Sequence, residues 1–154
     1  MSADRRDLEI DRISFQLGMI NCFAEMVACG VKKLALSPPL KPEDYELLRE
    51  ASERIVEGFG IRSYIEKSLM VTGLQSEDFT RGKWSVLYYD DDAVLRRYLD
   101  LKAQQLQMRE AGRYDGAAQE RVSREFMRLL SYPEEKIDQK LAGDKTSSPF
   151  MLIE

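Results

Sequence analysis

From Ile13 to Cys29 the chain carries apolar side chains around most of a helical circumference, and this constrains the fold more than any other feature. Ile13, Leu17, Ile20, Ala24 and Val27 recur in alternating steps of four and three, which marks one helical face. Phe15, Met19, Cys22, Phe23, Met26 and Cys29 widen that face until little polar surface is left. Periodicity predicts one long helix over residues 4–29. A helix apolar nearly all round is central to its domain or buried in an oligomer. The stretch contains Gln16, Asn21 and Glu25 and falls short of the about 20 apolar residues that span a bilayer. No membrane association is expected of it.

Gly30 is a natural stop for this helix. For Val31 to Leu36 two readings stay open. The step pattern runs on through Val31 and Leu34, so the helix extends to Ser37; or Gly30 ends it, and Leu34 and Leu36 belong to a short strand, the favoured reading. Ser37-Pro38-Pro39-Leu40-Lys41-Pro42 is a loop, since proline removes donors and holds the preceding residue extended. Pro42 opens a helix over 43–58, with Glu43 and Asp44 at its positive end and Leu48, Ala51 and Ile55 inward. Glu50 and Arg54 form an i,i+4 pair, and Gly58-Phe59-Gly60 ends the helix.

Ile61 to Thr72 and Trp84 to Tyr89 are strand candidates, the second aromatic and β-branched. Ser76 to Phe79 reads as a helical turn between them. Asp90 or Asp91 caps a helix to about Ala111, which Gly112 breaks. A second helix over 115–131 turns Ala118, Val122, Phe126 and Leu129 inward. Pro133 opens a third with Ile137 and Leu141 inward. The expected fold is α+β and mostly helical. A long N-terminal helix and a C-terminal helical group surround a small sheet of two or three strands. If 32–36 is a strand, then it, helix 43–58 and strand 61–66 form a right-handed crossover unit. The alternative is an all-α bundle. Residues 1–141 are expected to form one domain. Residues 142–154 read as a flexible tether ending in the apolar Phe150-Met151-Leu152-Ile153, which is expected to dock on this or a neighbouring subunit.

Composition removes several function classes. The 154 residues hold no histidine, so Ser-His-Asp and Cys-His catalysis, His-ligated zinc and a histidine pH switch are all excluded. The net charge of −4 with interspersed signs offers no footprint for nucleic acid. The N-terminus, Met1-Ser2-Ala3-Asp4-Arg5-Arg6-Asp7, lacks the apolar region of a signal peptide. Cys22 and Cys29 lie two turns apart on a helix, about 10 Å along its axis, and cannot pair within it. They read as buried, inert thiols of a cytoplasmic protein.

Three groups of residues could carry chemistry. Asp90, Asp91 and Asp92 could hold a divalent metal, but adjacent residues point different ways, and aspartate at a helix start is the preferred cap. Capping is the stronger reading, and no metal or other cofactor is expected. Asp7, Asp11, Ser14, Gly18, Asn21, Glu25 and Lys32 form a polar stripe on the first helix. It faces water; or it faces a symmetry mate, with Gly18 permitting close approach, Asn21 pairing across and Glu25 in the interface; or a buried Glu25 acts as a general base of raised pKa. Arg121, Arg124 and Arg128 share one helix face and could bind an anion, although Glu120 and Glu125 stand at pairing distance along the helix. Ser37 is a loop hydroxyl with no base nearby in sequence.

Two functions remain. One is a non-enzymatic interaction or regulatory domain acting as a homo-oligomer or on a protein partner, because the first helix has more apolar surface than a small sheet can cover. The other is a small-molecule-binding or metal-dependent enzyme. Its site would lie where Ser37 and Asp90 meet if strands 32–36 and 84–89 run parallel.

Overall fold

The computed structural model describes residues 9–72 and 80–143. Its elements in chain order are α1 (Arg12–Ala28), β1 (Leu34–Leu36), α2 (Pro42–Phe59), β2 (Arg62–Glu66), β3 (Ser85–Tyr89), α3 (Asp92–Glu110), α4 (Gly116–Leu129) and α5 (Glu134–Leu141). The α+β fold is the one expected, and the sheet excludes the all-α alternative. The helical turn expected at Ser76 to Phe79 and the peptide Phe150, Met151, Leu152 and Ile153 lie outside the described residues.

The sheet has the order β1-β3-β2, and both outer strands run antiparallel to β3. β1 and β2 are therefore parallel to each other, as a crossover through α2 requires, but β3 lies between them. The crossover unit is split. Being central, β3 is covered on both faces, and all five of its residues are buried. Leu87 and Tyr89 point to the C-terminal helices, where they meet Tyr98, Leu101, Val122 and Phe126. Val86 and Tyr88 point to α1 and α2, where they meet Ile20, Ala24, Val27, Tyr45 and Leu48. The period-two alternation of a strand thus feeds two cores from one segment.

Local signals set the helix ends. Asp11 accepts from the Ile13 amide and caps α1, so the helix starts at Arg12 and not at residue 4. Gly60 adopts φ +67° after α2, a left-handed stop that glycine takes without strain. Asp115 caps α4 through the Ala118 amide. β2 is shorter than the run to Thr72 suggested. The Glu66 carboxylate accepts from the Ser68 amide at 2.9 Å and turns the chain off the sheet. Among the described residues no helix is long and apolar enough to cross a membrane.

The core face of α1 is centred on Gln16, Ile20, Ala24 and Val27, with Ile13 and Leu17 half-buried beside it. Cys22 and Cys29 lie well around the helix from that face at 100° per residue. Both are exposed, against the expectation of buried thiols.

Candidate functional site

The antiparallel register decides which expected residues meet. Leu34 pairs with Tyr89 and Leu36 with Leu87. Ser37 therefore lies level with Val86, and Asp90 lies level with Lys33, about 13 Å away along the strands. Ser37 and Asp90 do not meet, and the site expected between them does not form. Ser37 is also not a loop hydroxyl in solvent. It is buried, and its Oγ accepts from the Val86 amide at 2.8 Å while its own amide donates to the Val86 carbonyl. This hydroxyl serves as the acceptor for the Val86 amide where the β1–β3 ladder ends, just before Pro38.

Asp90, Asp91 and Arg128 do come together. A cleft of about 570 Å³ opens where the end of α1, the start of β1, the β3–α3 junction and α4 converge. Val27, Ala93, Val94 and Leu129 give it an apolar lining. Lys32, Lys33, Arg97 and Arg128 give it cations, and Asp90, Asp91 and Glu125 give it carboxylates. Two of these charges are already committed, and a third meets only a ring face among the described residues. Asp91 caps α3, accepting from the Ala93 amide at 2.9 Å. Arg128 donates to Glu134 from Nε and Nη2. Lys32 lies 5.7 Å from the centre of the Tyr132 ring. Burial pushes the Lys32 ammonium below its ordinary pKa. Among the described residues Lys33 and Arg97 form no ion pair. The Lys33 amide donates to Ser131 Oγ at 2.9 Å, which fixes the backbone at the cleft.

The aspartate run divides its work. Asp91 is the cap, Asp92 pairs with Arg62, and Asp90 faces the cleft. Among the described residues no group of three or more metal-ligating side chains converges. The three arginines of α4 also diverge. Arg124 is held by Glu120, Glu134 and Asp138. Arg121 turns to α3, with Nη2 3.5 Å from Met108 Sδ, and not to Glu125. Hydrogen bonding to Arg128 and the nearby guanidinium charges hold the Glu134 carboxyl below its usual range.

A second surface lies along α1. Phe15, Met19, Cys22, Met26 and Cys29 follow alternating steps of four and three and form a seam separate from the core face. Phe15, Met19 and Met26 are half-buried but among the described residues belong to neither core cluster, and the two cysteines are exposed. Gly18 and Glu25 border the seam, and a Cβ at Gly18 would meet nothing within 4 Å. Asn21, also exposed, lies about 120° around the helix from the seam centre.

Sequence reasoning placed Lys32 in the polar stripe of the first helix and missed Lys33 and Arg97. Their signal was faint: two adjacent lysines at the start of a strand and an arginine one turn into a helix. The register that brings them together is a tertiary fact. No family model matches this chain, and no curated protein or solved structure is significantly similar to it.

Proposed function

We propose that this chain is a non-enzymatic interaction domain that self-associates through α1. The observation that carries this reading is the seam Phe15-Met19-Cys22-Met26-Cys29, left outside both core clusters. Alternating four-three spacing is the pattern by which one helix packs its knobs into the holes of another. The same pattern on two copies is self-complementary, which suits a twofold contact. Open space at Gly18 permits close approach of the second helix, and Glu25 would stand at the rim. Asn21, expected from sequence to pair across, lies about 40° beyond Glu25 on the same side of the seam. Two exposed free thiols suit a reducing, cytoplasmic setting.

Thiol accessibility tests the reading. Cys22 lies within the seam, so its reaction with a disulfide reagent slows as protein concentration rises. Met19→Lys and Met26→Lys place a charge in the seam, abolish that protection and yield folded monomers. A Cys22 reaction rate independent of concentration, with the two variants indistinguishable from wild type, would contradict the proposal.

A further inference from the structure

We infer that the cleft between α1, β1, α3 and α4 binds a small phosphate monoester, the phosphate against Lys32, Lys33 and Arg97 and a compact apolar body against Val27, Val94 and Leu129. The volume of about 570 Å³ is in the range of small-molecule sites. Such sites combine apolar walls with a few converging polar groups, as this one does. Lys33 and Arg97 form no ion pair among the described residues, while Asp90, Asp91 and Glu125 line the same cleft. Lys32 is half-buried, and among the described residues its ammonium meets only a ring face, so its charge is incompletely compensated. Its lowered pKa reports the same cost of desolvation.

Ala93 and Val94, in the first turn of α3, line the cleft, and Asp91 already caps that helix end. A dianionic group uses several cations at once, whereas a monocarboxylate leaves some unanswered. Three acids also line the cleft. Asp91 is committed to its cap, and Arg128 is shared with Glu134. Asp90 and Glu125 remain, and each can accept a hydrogen bond from a hydroxyl or amine on the ligand body. The inference does not depend on self-association, because no seam residue lines the cleft, although Gly30, next to Cys29, does.

Phenyl phosphate is the probe, titrated into the full chain and followed by amide chemical shifts. Saturable shifts are expected at Lys32, Lys33, Ala93, Val94 and Leu129. Binding should weaken about tenfold in Lys32→Met and in Arg97→Ala, the size of one charge-assisted contact. Arg54→Ala, on the exposed face of α2, should bind as wild type does. Benzoate should bind at least about tenfold more weakly, and inorganic phosphate should bind more weakly than phenyl phosphate because it lacks the apolar body. Amide spectra of each variant report that it is folded. No saturable shift at these residues up to about 1 mM probe would overturn the inference. So would equal affinity in wild type, Lys32→Met and Arg97→Ala.

Discussion

The Tyr98 hydroxyl donates to Glu66 Oε2 at 2.7 Å, deep between β2 and α3. Lys102 Nζ donates to Oε1 of the same carboxylate at 2.9 Å, as does the Ser68 amide. The Met70 amide donates in turn to the Tyr98 hydroxyl. A buried charge is tolerated when it is paired and hydrogen-bonded, and Glu66 is both. One helical turn further on, Gln105 donates to the Val71 carbonyl and to Tyr114. Tyr98, Lys102 and Gln105 thus form a polar row on α3 that holds the chain leaving β2.

Tyr98→Phe removes the hydroxyl and leaves the Glu66 carboxylate short of one donor. The loss should be about 1.5–3 kcal/mol, the range for hydrogen bonds to charged groups. Urea denaturation measures it. A loss below about 0.5 kcal/mol would mean that solvent replaces the hydroxyl.

Stability should fall at alkaline pH. Burial, and for Tyr98 the nearby Glu66 charge, hold the Tyr88 and Tyr98 hydroxyls well above the ordinary tyrosine pKa. Below about pH 10 both states are protonated and the stabilisation is present in full. Above that the unfolded tyrosines ionise first, so the unfolded state binds fewer protons and stability drops as pH rises toward the folded pKa values. Denaturation midpoints measured from pH 8 to pH 11 should show this drop, and Tyr88→Phe should make it shallower.

Asp91→Ala should cost about 0.5–2 kcal/mol through loss of the α3 cap. Asp90→Ala should change stability by less than about 0.5 kcal/mol. Magnesium should leave the wild-type Tm unchanged. A magnesium-dependent rise in Tm that either substitution abolishes would refute the capping role.

Gln16→Leu should stabilise the protein. Gln16 is buried, and its Oε1 has no hydrogen-bond partner among the described residues. Removing an unsatisfied buried acceptor recovers about 1–3 kcal/mol of desolvation. A loss of stability in chemical denaturation would show that the amide has a partner.

What was legible in the sequence was local. Asp91 before α3, Pro42 at the start of α2, Gly60 after it and the Glu50–Arg54 pair are each decided by a few neighbouring residues, and the structure has all four. Strand order was not legible, because β3 enters between β1 and β2 from a distant part of the chain. That order separates Ser37 from Asp90 and gathers Lys32, Lys33 and Arg97 instead. Buried Gln16, Glu66 and Gln105 were also missed, since a polar residue looks solvent-facing until its position and tertiary neighbours are known. The apolar girth of α1 was legible. Its division into a core face and an outer seam required knowing where α2 and the sheet lie.

Sedimentation velocity on the wild-type chain tests the central claim of self-association most directly. At micromolar concentration the account predicts a species of twice 17.8 kDa that Met19→Lys converts to monomer. A single 17.8 kDa species at every concentration, unchanged by Met19→Lys, would contradict it.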